Sequence, residues 1–151
     1  MELIGKVAVV MGGAKGVGRG ICHALGDEGA TVVIADIDRE AAEDVAESLW
    51  KRGVKAEAMT CDVTKRTALE GLADRIAMEF GGVDLLCNNA SVSSDGDIQS
   101  LAENDWDRLM AVNLKAVYFA VAAFVPQMIE RGKPHHGIGV GKPCANGASC
   151  A

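Results

Sequence analysis

The chain has 151 residues, 49% apolar and 24% charged, with a formal net charge of −6. That length suits one domain with its own core, burying roughly 68–70% of the surface that an unfolded chain exposes. Scattered Lys and Arg and an acidic balance argue against a nucleic-acid binder, which carries a basic stripe, and no apolar run approaches the ~18 residues of a membrane span. The opening MELIGKVAVV lacks a basic n-region and a cleavage site, so a cytoplasmic protein with no membrane partner is expected. The five cysteines (Cys22, Cys61, Cys87, Cys144, Cys150) are odd in number and widely spaced, unlike a disulfide framework.

KVAVVMG, residues 6–12, is a short apolar run bounded by glycine, the pattern of a strand buried on both faces. A glycine-rich turn leads into an amphipathic stretch through Ile21, Cys22 and Leu25 that ends near Gly29. TVVIAD, residues 31–36, reads as a second buried strand. From Asp38 to Arg52 the period is helical, with Asp38 as N-cap and Gly53 as the stop. VKAEAMTCDV alternates as a third strand, and Thr64 is placed to cap the next helix, which carries Leu69, Leu72, Ile76 and Phe80 and halts at Gly81-Gly82. VDLLCNN is the fourth strand. After a polar loop, a long helix spans residues 103–131, with Trp106, Met110, Asn113, Val117, Val121, Phe124 and Met128 on one stripe. Pro126 is expected to kink that helix or end it early.

Strands and helices in alternation imply a doubly wound α/β fold of Rossmann type, with a parallel sheet in the order 3-2-1-4. Gly12, Gly16 and Gly18 stand in G-x-x-x-G-x-G spacing between the first strand and its helix. Glycine there permits φ > 0 and close backbone approach, and a helix N-terminus favours an anion such as a pyrophosphate. A tight turn without a ligand is the plain alternative, weakened by the strand before the loop and the helix after it. Asp36 ends the second strand 18 residues after Gly18, near the spacing of an acid that binds adenosine ribose hydroxyls. Such a carboxylate repels a 2′-phosphate, so NAD is favoured over NADP, a preference softened by positive charge on Lys15 and Arg39.

With these residues in order, the chain resembles the N-terminal part of the classical short-chain dehydrogenase/reductase family. The resemblance rests on Gly12, Gly16 and Gly18, on Asp36, on Asp62-Val63, on Asn88-Asn89-Ala90 and on Asn113, and covers residues 1–131. Met11 and Ser91 depart from the family, which usually has threonine and glycine there. The resemblance implies a cofactor-binding set of Gly12, Lys15, Gly16, Val17 and Gly18 in the loop, Asp36 and Ile37 after the second strand, Asp62 and Val63 after the third, and Asn89, Ala90 and Ser91 after the fourth. In it Asp62 takes the adenine amino group, Val63 touches the ring, Asn88 braces the glycine turn and Ala90 lines the ribose. Without a hydroxyl at Met11, one loop-fixing hydrogen bond is missing and the cofactor site is expected to loosen. No metal is expected.

The family's reaction is hydride transfer between an alcohol and a carbonyl, with a Tyr as proton donor, a Lys one helical turn later, a Ser and an Asn. The single tyrosine, Tyr118, has Ala122 four residues on, so the Y-x-x-x-K motif is missing and Tyr118 reads as a packing residue. Asn113 is the only remnant of that catalytic set. The last segment, residues 132–151, reads as an irregular tail in place of a fifth strand and the serine. Its GIGV stretch is too glycine-rich for a central strand.

Three readings compete for this tail: a metal site of His135, His136, Cys144 and Cys150, a binding loop, and a poorly packed end where the fold is cut short. The last is favoured, with a frameshift or altered splice near residues 132–137 as its sharper form. The fourth strand then becomes a sheet edge, and the apolar helix 103–131 calls for a homo- or hetero-oligomeric partner. The expected function is an NAD(H)-binding member of the oxidoreductase family that is catalytically incomplete. A non-enzymatic interaction module and a truncated fragment are the alternatives.

Overall fold

A computed structural model describes residues 2–94, 97–131 and 135–137. Its strands are β1 (Val7–Met11), β2 (Thr31–Asp36), β3 (Ala56–Thr60), β4 (Leu85–Asn88) and β5 (His135–Gly137). They form one parallel sheet in the order β3-β2-β1-β4-β5. The expected order 3-2-1-4 is therefore present, with a correction at one edge. β4 is not a free edge, because the backbone of His135–Gly137 pairs with Leu85–Cys87. Three residues of the segment read as irregular thus extend the sheet, including the first glycine of GIGV, while residues 138–140, Cys144 and Cys150 lie outside the described residues.

The period-2 alternation of buried strands divides the core in two. Val7, Val9 and Met11 of β1 and Val33 and Ala35 of β2 face α3 (Arg66–Phe80) and the C-terminal helix. Ala8 and Val10 with Val32 and Ile34 face α1 (Gly16–Asp27) and α2 (Arg39–Trp50) on the other side. Cys22 and Cys61 are buried in these layers and Cys87 is half-buried. Burial pushes the thiols up, to about 12 for Cys22 and about 11 for Cys61, which keeps them protonated and inert.

The helix boundaries follow local chemistry. The Asp38 carboxylate accepts the Ala41 N–H and caps α2, as the sequence implies. Thr64 does not cap α3, which starts after Lys65; its N–H and hydroxyl are both spent on Asp62 Oδ1. Gly81, at φ 77°, ends α3 in the left-handed conformation that glycine tolerates.

The long helix is continuous over Glu103–Glu130, but it is not one regular α-helix. α4 (Glu103–Met110) passes into a π-helical turn (Ala111–Lys115) and then α5 (Ala116–Glu130). The wider turn changes the phase of the stripe. Ala116, Ala120, Phe124 and Met128 are buried, whereas Trp106, Asn113 and Val121 of the expected stripe are exposed. Alanine at the contact lets α5 approach the sheet closely. Pro126 does not end the helix, which runs on to Glu130. It sits on the exposed side, where the one carbonyl it leaves unpaired is within reach of water, and buried Phe124 and Met128 hold the helix on either side of it. By length and composition this helix is apolar enough to cross a membrane, with mean hydropathy 1.7 over its most apolar 18 residues; in the fold its buried stripe belongs to the core.

At the end of the sheet away from the glycine loop, Asp84 is 5% exposed. Its carboxylate accepts the Val7 N–H at 3.0 Å, Arg131 Nη2 at 2.9 Å and Lys6 Nζ at 3.3 Å. One group thereby joins the start of β1, the approach to β4 and the end of α5. Burial pushes this carboxyl up, but the hydrogen bonds from Arg131, Val7 and Lys6 outweigh it and hold the group below its usual range. A depressed folded pKa adds stability above the unfolded value of about 4, which is lost as pH falls through the folded value. Asp84→Asn is expected to cost about 3 kcal/mol at pH 7, the lower end of the range for a broken buried pair, because Arg131 is partly solvated. Urea melts between pH 7 and pH 3 check this: the variant should also lose part of the acid-dependent fall in stability.

Candidate functional site

The carboxyl ends of β1, β2 and β4 converge on the glycine loop. Gly12 leaves β1 at φ 71°, its N–H bonded to Ala35 O at 2.7 Å, and Gly16 opens α1 at φ 51°. Space as well as conformation requires these glycines. A Cβ on Gly12 would lie 2.7 Å from Ala90 Cα, and one on Gly18 would lie 1.9 Å from the Gly12 carbonyl oxygen. The first turn of α1 is therefore pressed against the loop that precedes it. The Asn89 amide donates to the same Gly12 oxygen at 2.9 Å, which ties β4 to the junction. The bracing expected of Asn88 is thus performed by Asn89. Asn88 instead is nearly buried and lines a small cleft with Met11, Val63, Ala90, Ala116 and Ala120.

Met11 fills core space facing α3 and α5. The loop is fixed without a hydroxyl at that position, through Ala35 O, Asn89 and Asp36. Asp36 Oδ2 accepts the Ala14 N–H at 3.0 Å, and Oδ1 accepts the Asp38 N–H at 3.0 Å. The acid at the end of β2 is thereby joined directly to the glycine loop. Lys15 Nζ lies 2.5 Å from Asp38 Oδ2 across the same opening. That hydrogen bond raises the pKa of Lys15 and lowers that of Asp38. Val17 and Ile37 project into solvent beside them.

The start of α1 has the properties of an anion site. Lys15 at its N-cap gives no side-chain cap, and no acid lies in its first turn, whereas α2 has both. A Cβ added at Gly16 would meet nothing, so the approach to these amides is open. The residues present therefore suit the phosphates of a dinucleotide better than a bare turn.

Asp62 and Val63 follow β3 on the same side of the sheet. Hydrogen bonds from the Thr64 hydroxyl and N–H to Asp62 Oδ1 hold its carboxyl below the usual range. Val63 packs half-buried against the core. Ser91 is exposed beyond Ala90. Asn113 lies within the π-helical turn, and its side chain clasps the backbone of Val92 at both ends: Oδ1 accepts the Val92 N–H and Nδ2 donates to the Val92 carbonyl, each at 2.9 Å. Tyr118 is not packed in the core; it is 61% exposed, its ring tilted against Phe119 on the outer face of α5.

Ala14, Asp38 and Val92 are site residues that sequence reasoning did not assign. Asp38 carried a signal, since an Asp two residues after Asp36 suits a turn closed by the first carboxylate. Ala14 and Val92 act through their backbones, for which no side-chain pattern exists.

A twisted parallel sheet with a glycine loop and an acid at the carboxyl ends of neighbouring strands defines a Rossmann-type nucleotide-binding protein. The family model for the short chain dehydrogenase matches residues 6–137, and the chain belongs to that family of oxidoreductases. It is 37% identical over 132 residues to a C alpha-dehydrogenase of Sphingobium sp. SYK-6, covering 87% of this chain and 43% of the relative. It is 35% identical over 131 residues to a D-threitol dehydrogenase of Mycolicibacterium smegmatis, covering 87% and 50%. A metagenomic short-chain oxidoreductase crystallised with NADP superposes with a TM-score of 0.87 at 36% identity, over 91% of this chain and 63% of that one. The chain spans about half the length of the curated relatives it matches.

The glycine contacts predict a sharp contrast between neighbours. Gly18→Ala is expected to destabilise the protein by roughly 1–3 kcal/mol through overpacking against Gly12. Gly20→Ala, where the added methyl meets nothing within 4 Å, is expected to be neutral or to stabilise by about 0.4–1 kcal/mol. Thermal or urea unfolding of both variants measures the difference.

Proposed function

We propose that this chain supplies the NAD(H)-binding half of a hydride-transferring oxidoreductase. The observation that carries the reading is the Asp36 carboxylate at the end of β2, hydrogen-bonded to the glycine loop through Ala14. In this reading the uncapped start of α1, with Gly12, Gly16, Val17 and Gly18, takes the pyrophosphate. Asp36 and Ile37 take the adenosine ribose, Asp62 and Val63 the adenine, and Asn89, Ala90 and Ser91 the nicotinamide side. The bound nicotinamide supplies the hydride chemistry. The chain's own residues orient the cofactor and exclude water from its apolar flank.

NAD is preferred over NADP because a carboxylate at Asp36 disfavours a neighbouring dianionic phosphate. The two nearest cations of the loop and α2, Lys15 and Arg39, are already paired with Asp38 and Glu43. Substrate proton transfer falls outside residues 1–131 in this proposal, since Tyr118 has no lysine one turn on and faces outward. Asn113 is then a positioning residue that fixes the loop at Val92. Association through helix 103–131 belongs to the same reading, supported by exposed Leu114, Tyr118 and Ile129 on its outer face.

Titration of the purified protein with NADH, followed by nicotinamide fluorescence, tests the reading. Saturable binding is expected, weakened about 10-fold or more in Asp36→Ala, since hydrogen bonds to a charged group contribute about 1.5–3 kcal/mol. Absence of binding at millimolar NADH would falsify it. A second arm measures alcohol-dependent reduction of NAD; none is expected from residues 1–151 alone, and robust turnover would refute the proposed incompleteness.

A further inference from the structure

Toward its end, α1 packs closely at Gly26, where an added Cβ would lie 2.9 Å from Val54 and 3.0 Å from Leu49. A polar cluster flanks this contact. Arg52, just past the end of α2, spreads its guanidinium across two residues one turn apart on α1. Its Nη1 lies 3.0 Å from His23 Nδ1, and its Nη2 meets the Asp27 carboxylate. On the other side of the ring, His23 Nε2 lies 3.3 Å from the Ser48 hydroxyl of α2.

These partners dictate the state of the ring. A guanidinium only donates, so Nδ1 must be the bare acceptor. The Ser48 hydroxyl already donates to the Val45 carbonyl at 2.7 Å, which leaves its oxygen to accept the proton on Nε2. We propose that His23, neutral and carrying its proton on Nε2, is the joint through which Arg52 clamps α1 to α2, and that acid releases this clamp. A proton on Nδ1 turns the acceptor into a donor facing another donor, and the bond to Arg52 is lost. Asp27 then holds Arg52 alone, through an exposed ion pair of the kind that contributes little. The inference does not rest on the dinucleotide reading.

The surroundings oppose a charged ring. Burial acts first, then Arg52 of α2 and Arg19 of α1, while Asp27 pulls the other way; the balance lowers the pKa of His23. The other charges of the flanking elements are engaged elsewhere. β1 and β2 turn Ala8, Val10, Val32 and Ile34 to this side, and Asp36, the one carboxylate of β2, is bonded at the rim. On α2, Arg39 pairs with Glu43 and Lys51 with Glu47, and Glu40 and Asp44 line the groove toward β3. The unfolded chain, with an imidazole at about 6.5, therefore takes up the proton before the folded one. The clamp contributes in full above about pH 6.5, and its contribution is lost as pH falls from there through the folded value.

Long-range proton–nitrogen NMR spectra of the intact chain, with the imidazoles assigned through the backbone, read the tautomer directly. At neutral pH the form protonated on Nε2 is expected, and His23 should titrate below a free imidazole. Arg52→Met, which removes the opposing guanidinium, should move that titration up. Urea midpoints between pH 8 and pH 5 give a second readout. They should fall more steeply in the wild type than in His23→Asn, whose amide oxygen can accept from Arg52 without titrating. Asparagine and histidine have similar helix propensities, so α1 is retained. A proton on Nδ1 at neutral pH would overturn the clamp. So would a titration that Arg52→Met leaves in place, or an equal pH dependence in His23→Asn. Arg52 is exposed, so the Arg52→Met titration decides the matter even where His23→Asn does not fold.

Discussion

The carbonyl of Gly12 is the point on which the upper end of the structure depends. It is approached from one side by the Cα of Gly18 in the first turn of α1 and from another by the Asn89 amide beyond β4. Any side chain at Gly18 would occupy the space of that oxygen. The sterics of one atom therefore set how closely α1 packs on β1 and where its unpaired N–H groups point. Because β4 is tied to the same oxygen, the loop cannot move without disturbing the sheet. The phosphate site proposed for the start of α1 would need that rigidity, since amides without side-chain help gain strength only from being held in place.

The opposite end of the sheet is organised by a different interaction. There a nearly buried carboxylate, Asp84, gathers a backbone amide and two cations from three elements. Its attachments fix the start of β1 and the end of α5, and removing one partner would leave buried charge uncompensated. At the mouth, by contrast, Asp36 bonds mainly to backbone N–H groups and the surrounding ion pairs are exposed. Buried charge is thus concentrated at one end of the sheet and exposed ion pairs at the other.

The division between what sequence reveals and what it hides follows the range of the interactions. β2 was legible to the residue, because a strand buried on both faces must be a continuous apolar run, and the Asp38 cap was legible because capping is local. The glycine spacing and Asp36 were legible for the same reason. Three things were not. The phase of the long helix changes within its π-helical turn, which has no residue signature. The exchange of roles between Asn88 and Asn89 depends on which side of β4 faces the loop, and alternation at a strand's last residue is the least constrained. The pairing of β5 with β4 needs only backbone groups, so the glycine in His135–Gly137 did not prevent it.

A carboxylate that must recognise a ligand is most useful if its orientation is fixed before the ligand arrives. Asp36 accepts one N–H on each oxygen, and a carboxylate has about four acceptor positions in all. The two protein donors therefore orient the group without exhausting it, and lone pairs remain to accept further hydrogen bonds. One of these donors belongs to Ala14, beside Lys15, and the other to Asp38, the ion-pair partner of Lys15, so the same two segments hold both the acid and the ion pair next to it. Exposed ion pairs contribute little to folding. Changes of charge at Lys15 and Asp38 can consequently be made while the Gly12 junction and the Asp84 cluster keep the fold intact.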